Sequence, residues 1–192
     1  MILSSIQAPI LVHQFLEKPE IVKSEEAVVT RTPLACLNEA TGGDYGLIVV
    51  SFSTRPVSAR DETIELCKYL KNNSLATRTP LVVSMEAPHR GIAVALKNSG
   101  VGLLEVRSTE APVDPELLKG LIHSGDASIS IDRVLTRMCP FLNYNPVDGQ
   151  RELITCRAYG NRMVLGGRRL HEVCETRDYS HCDTFLHPRG GS

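Results

Sequence analysis

Three short apolar runs constrain the fold of this chain more than anything else in it. They are "YGLIVVSF", "TPLVVSM" and "VGLLEV". None alternates apolar with polar residues, so neither face of the strands they would form can meet water. Strands buried on both faces belong to a parallel sheet with helices packed on either side. The intervening segments fit that demand. "TPLACLNEATGG", "ARDETIELCKYLKNNS" and "HRGIAVALKNSG" carry helical spacing and end in polar or glycine stops. "DPELLKGLIHSG" adds a last helix, with Asp114 as N-cap and Pro115 in its first turn. Nearer the N-terminus, "MILSS" is expected as the first strand, "APILVHQFLEK" as a helix and "EIVKSEEAVV" as the second strand. Residues 1–122 thus predict an α/β domain around a five-stranded parallel sheet.

Composition narrows the function classes. The chain has 192 residues, enough for one large domain or two small ones. It has no Trp and 5% aromatics, so its core must be mainly aliphatic. With 21 basic and 22 acidic residues the net charge is −1, which gives no global pull toward nucleic acid or an anionic membrane. The N-terminus lacks the basic n-region of a signal peptide, and no apolar run approaches the roughly 20 residues of a membrane span. A cytoplasmic protein is expected, in a compartment where disulfides are rare.

The βα order, the element lengths and several local patterns resemble the response-regulator receiver family, the flavodoxin-like domain of two-component signalling. The resemblance covers roughly residues 1–122. It is carried by "DYGLIVVSF" for the third strand, "TPLVVSM" for the fourth and "LKNSGVGLLEVRS" for the helix, glycine and fifth strand. It implies a five-stranded parallel sheet and a phosphoryl-accepting pocket. That pocket needs an acidic pair after the first strand for Mg²⁺, an aspartate ending the third, a Ser/Thr after the fourth and a lysine ending the fifth. Laid on this chain, Ser4 and Ser5 fall near the acidic pair, Ser51 at the acceptor, Ser84 at the hydroxyl and Arg107 near the lysine. Ser108 follows Arg107 where the family usually has proline. The chemistry fails there. Mg²⁺ takes carboxylate oxygen, which serines cannot replace, and serine cannot form an acyl phosphate. The expectation is a pseudo-receiver that keeps the fold to bind a protein partner and is not an enzyme. An unrelated α/β domain of similar rhythm is the alternative, and it too shows no catalytic set. Cys36 and Cys67, set among apolar helix positions, read as core residues.

The texture changes after residue 122. Residues 123–138 are expected as a linker helix, and residues 139–192 as a small, turn-rich α+β module. "NPVDGQ", "AYGNR" and "LGGRR" each carry a turn signal. Four of the six cysteines lie here, at Cys139, Cys156, Cys174 and Cys182, with gaps of 16, 17 and 7 residues. They read as a metal site, two disulfides or four independent thiols. Thiolates select zinc or iron–sulfur clusters, and a metal would supply folding energy to a segment poor in core residues. The arrangement is similar to small four-cysteine modules of bacterial and archaeal proteins. Structural zinc usually takes cysteines in close pairs, and none occurs here. Wide spacing suits a cubane held from several elements, so a [4Fe–4S] cluster is slightly favoured over Zn²⁺. "TCRAYGNRMVLGG" is expected as a hairpin around Gly160-Asn161, and "GRRLHEVCETRDYSHC" as a helix ending near Cys174 with a loop returning Cys182. His171, His181 and His187 lie nearby and read as surface histidines first and ligands second.

Seven arginines fall between Arg151 and Arg189, and no lysine follows Lys119. Arg157, Arg162, Arg168 and Arg169 could contact phosphate or nucleic acid. Six acids from Asp148 to Asp183 oppose the arginines, which favours simple pairing. Three functions follow in order: a non-catalytic regulatory or adaptor protein with a structural or redox-sensing metal module, a nucleic-acid-binding regulator, and an electron-transfer or redox subunit.

Overall fold

The computed structural model describes residues 8–14, 27–54, 56–107 and 113–189. Five strands form one sheet: β1 (Ile10–Gln14), β2 (Ala27–Thr30), β3 (Leu47–Phe52), β4 (Leu81–Met85) and β5 (Leu103–Val106). Every pair is parallel, and the order is β2-β1-β3-β4-β5. This is the doubly wound, flavodoxin-like order, which receivers share. β3 and β4 are buried along their whole length, as their unbroken apolar runs require.

The N-terminal expectation needs correction. "APILVHQFLEK" is not a helix in its described part, because Ile10–Gln14 is β1, between β2 and β3. Its apolar residues match a helical stripe by accident. The run is so short, and so fully buried, that its length and setting decide in favour of a strand. "MILSS", with Ser4 and Ser5, lies outside the described residues and precedes β1. The carboxyl end of the first strand therefore carries His13 and Gln14 instead.

Helices α1 (Pro33–Gly42), α2 (Arg60–Asn72), α3 (Arg90–Asn98) and α4 (Pro115–His123) follow β2, β3, β4 and β5. Thr32 and Asp114 cap α1 and α4 by accepting from Ala35 N–H and Leu117 N–H, each with proline at the helix start. Strand alternation divides the core. Leu11, Ile48, Val50, Phe52, Val83, Met85 and Leu104 join the large cluster with α1, α2 and α3. Ile10, Val12, Leu47, Val49 and Val82 form a smaller one with Leu118 of α4.

Residues 123–138, expected as a linker helix, form a 3-10 turn and a short helix α5 (Ile131–Leu135). Ile131, Val134 and Met138 are buried in the large cluster. Beyond them lies a second, antiparallel sheet of β6 (Leu142–Pro146), β7 (Glu152–Cys156) and β8 (Met163–Val164). The β7–β8 hairpin turns at Gly160 and Asn161, as expected, with both residues in the left-handed region that such turns demand. Leu142, Ala158, Leu165 and Leu170 pack into the same large cluster as α2 and α3.

Candidate functional site

Two polar constellations stand out, one at each end of the chain's chemistry. The first follows from strand register. Gln14 pairs with Ser51, Ser51 with Ser84 and Ser84 with Glu105. These four residues form one row across β1, β3, β4 and β5, pointing to the α4 side by the period of two. Ser84 is fully buried and Ser51 nearly so. Just past β5, Arg107 donates from Nε to Ser84 Oγ at 2.7 Å and from Nη2 to Ser51 Oγ at 3.1 Å. Ser84 in turn donates to Glu105 Oε2 at 2.6 Å. Burial pulls the Arg107 pKa down, while Glu105 and Glu86 act against that shift. Ser51, Ser84 and Arg107, singled out from sequence, therefore meet in space. Glu105 and Gln14 complete the row. Parity could have found Glu105, which stands two residues past Leu103 in an otherwise apolar strand.

The second constellation is sulfur. Cys139 precedes β6, Cys156 ends β7, Cys174 ends a π-turn (Leu170–Cys174) and Cys182 precedes a last helical turn (Asp183–Leu186). A π-turn adds one residue to the helical repeat, and such turns recur at functional sites. Here it leaves Cys174 buried and its carbonyl accepting from Cys139 N–H at 2.7 Å. All six cysteines of the chain are free thiols. Burial pushes the Cys139 thiol up, and Cys156 and Cys182 push it further. Burial, then Cys139, Cys182 and more weakly Cys156, lift Cys174 to about 11. Cys139, Cys156 and Cys174 join the same core cluster, while Cys182 stands at its edge, partly exposed.

Donors face these sulfurs. Against the raising effect of burial, the Phe141 N–H draws the Cys139 thiol down. Burial raises the Cys182 thiol, but the Phe185 N–H, the Arg169 guanidinium and the Thr184 N–H together hold it below its ordinary value. Arg169 Nη2 lies 3.3 Å from Cys182 Sγ. Such donors favour thiolate, the form that binds metal. Cys139, Cys156 and Cys174 are buried, and Cys182 is partly exposed. Among the described residues, no group of three or more His, Cys, Asp or Glu side chains converges as a single metal ion requires. His171 is taken up by Glu175 at 2.6 Å, and His181 and His187 are exposed.

A third cluster joins the two halves and was not legible in the sequence. Arg60, at the start of α2, makes a bidentate pair with Glu152 of β7, at 2.6 and 2.9 Å. His89 Nε2 lies 3.1 Å from the same carboxylate, and its Nδ1 accepts from Ile92 N–H as the cap of α3. The His89 ring stacks on Tyr144 of β6 with centroids 3.8 Å apart. Arg90 donates to the carbonyls of Leu135 and Met138. Burial lowers the His89 pKa, Glu152 opposes the shift and Arg60 adds to it. The partners are 92 and 63 residues apart, so no local pattern announces them.

The four arginines considered for phosphate do not gather. Arg157, Arg162, Arg168 and Arg169 are all exposed. Arg168 pairs with Glu172 at 3.1 Å, Arg169 faces Cys182, and Arg162 borders a 440 Å³ cavity with Tyr159 and Arg189. No described helix is long and apolar enough to cross a membrane.

No known family model matches the chain, and no curated protein matches it. Among solved structures, it is similar to a bacteriophytochrome response regulator, AtBRR. Identity is 18% and the TM-score 0.44, over 60% of this chain and 90% of that one.

Proposed function

We propose that this chain is a non-catalytic regulatory or adaptor protein with a receiver-like domain that takes no phosphoryl group on aspartate and a four-cysteine metal module. The observation that carries the first half is Arg107 bonded to both Ser51 and Ser84. The guanidinium fills the space between acceptor and hydroxyl positions, and Glu105 balances its charge through Ser84. Mg²⁺ would need carboxylates at the end of β1, where the row offers Gln14. A domain with this pocket serves by its surface, and a protein partner is the fitting ligand.

For the second half, three of the four thiols are buried in one core cluster. Cys139, Cys156, Cys174 and Cys182 would be the ligands. The wide sequence spacing of these cysteines, with no close pair, suits a [4Fe–4S] cluster better than Zn²⁺. When bound, it would supply folding energy and a redox-responsive charge. The deciding experiment is anaerobic purification of the full chain with absorption spectroscopy and iron, sulfide and zinc analysis. A broad visible charge-transfer band with iron and sulfide is the expected result. Zinc without colour would replace the cluster by an ion, and a folded metal-free protein would sink the metal reading.

A further inference from the structure

A cavity of about 380 Å³ lies where the two halves of the chain meet. Pro88 follows β4, and Glu105 and Val106 end β5, so the cavity sits at the carboxyl ends of parallel strands. Doubly wound sheets take their ligands there. Its volume falls in the range of about 300–1,000 Å³ that small molecules occupy. Leu121 of α4 and, from beyond it, Ile129, Val134 and Met138 extend the apolar wall. Three charged side chains interrupt that wall: Glu105, Arg137 and Glu175. Glu105 is committed through Oε2 to Ser84. Glu175 stands just past the π-turn, and its side chain is only 6% exposed. His171 Nδ1 lies 2.6 Å from Glu175 Oε2, while Oε1 has no hydrogen bond among the described residues. A carboxylate so buried is costly until its second oxygen also finds a donor. Arg137, exposed just past α5, makes no side-chain hydrogen bond or ion pair among the described residues. Opposite charges thus line one apolar cavity without closing on each other.

We propose that this cavity binds a free amino acid with an apolar side chain. The ammonium group donates to Glu175, and Glu105 adds negative charge to that wall. The carboxylate meets Arg137, whose planar guanidinium fits it with two parallel bonds. The side chain packs on Leu121, Val134 and Met138. An amine alone would leave Arg137 unanswered, and a carboxylic acid alone would face two carboxylates, so the lining selects a ligand that carries both charges. The inference goes beyond the regulatory reading above and is independent of the four cysteines. It gives the protein a chemical input. The walls come from β5 and α4 on one side and from α5 and the segment after the π-turn on the other, so an occupied cavity ties the two halves together and stabilises the fold by mass action.

The test titrates the full chain by calorimetry with L-leucine, L-methionine and L-phenylalanine, and follows its melting temperature with each. Isoamylamine and isocaproic acid serve as controls, because each keeps the apolar body of leucine and only one of its charges. At least one amino acid should bind saturably and raise the melting temperature. If leucine is the one bound, both controls should bind about tenfold more weakly or worse. For methionine or phenylalanine, the matching amine and acid take their place. Arg137→Gln should weaken the amino acid by about tenfold and leave the amine unchanged. Arg133→Gln, exposed on α5 and outside the cavity wall, should match the parent. Circular dichroism confirms that each variant remains folded. No saturable binding of any of the three amino acids to the folded parent overturns the proposal. An amine bound as tightly as its amino acid reduces the cavity to a cation site and overturns it too, as does undiminished binding in Arg137→Gln.

Discussion

The polar row and the sulfur group are both four-residue constellations, yet they differ in what their charges already touch. At the row, Ser51, Ser84 and Glu105 are bonded together with Arg107 from just past β5, while the buried Gln14 Nε2 has no hydrogen-bond partner among the described residues. In the sulfur group, the donors face inward to sulfur and no thiol bonds another. The lesson concerns where binding capacity survives. A site whose arginine, serines and acid are paired internally leaves no free carboxylate for Mg²⁺, while a set of largely buried thiols has gained donors but no counter-charge equal to four thiolates.

The strongest way to break this contrast is to remove one sulfur. Cys139→Ser or Cys174→Ser should destabilise residues 139–189 by several kcal/mol, of the order a structural metal supplies. Hydrogen exchange would show that segment unprotected while β3 and β4 stay protected. Cys36→Ser or Cys67→Ser should cost about 1–3 kcal/mol, the penalty of a hydroxyl in an apolar setting. Both residues are fully buried outside the sulfur group. Equal thermal shifts for all four variants would contradict a shared metal.

Next in size is the joint between the two regions. Glu152→Ala leaves the Arg60 guanidinium buried without its bidentate partner, and Arg60 is only 8% exposed. Loss of one partner of a buried pair costs about 3–5 kcal/mol. Denaturant unfolding followed at both sheets should show the halves melting apart in this variant. A single transition at the parent midpoint would mean that the pair contributes little.

Acid should act more gently, at His89 of this joint and at His13 of β1. Burial depresses the His13 pKa to about 4, against a weaker opposing bond from Thr30, and burial also depresses that of His89. A histidine depressed on folding binds fewer protons in the native state than in the unfolded one. Stability is therefore fully present above the unfolded value near 6.5 and declines as pH falls below it, levelling off once pH passes the folded value. His13 alone should remove about 2 kcal/mol between pH 7 and pH 5. Glu152, whose carboxyl is held low by Arg60 and His89 against burial, adds its loss only at lower pH. Urea midpoints over that range test the slope, and His13→Gln should flatten it.

How far the sequence carried this picture varies by element. β3 and β4 were legible because a parallel strand buried on both faces has an unmistakable apolar run, and β5, a partly buried edge strand, was legible from the short run "VGLLEV". β1 was not, since "ILVHQ" is too short to separate strand from helix by spacing. That error displaced the acidic-pair positions to Ser4 and Ser5, when Gln14 stands level with Ser51. The convergence of Ser51, Ser84 and Arg107 was legible through family likeness, and Glu105 through parity alone. The Arg60–Glu152–His89 cluster was hidden because its members share no local pattern and meet only when the second sheet packs on α2 and α3.

The smallest expected effect gives the sharpest test of the closed row. Ser51→Ala removes one acceptor from Arg107 and should cost about 1 kcal/mol, since the Ser84 bond remains. Ser51→Asp is the more telling variant. It restores the residue type that accepts phosphoryl groups, but places the carboxylate against Arg107, where an ion pair forms in place of a metal site. Because Gln14 supplies no acid, Mg²⁺ still lacks its ligands. Incubated with acetyl phosphate and Mg²⁺, Ser51→Asp should therefore show no phosphoryl mass gain, like the parent. A gain in intact mass would show that the pocket lacks only its acceptor and that Arg107 does not close it.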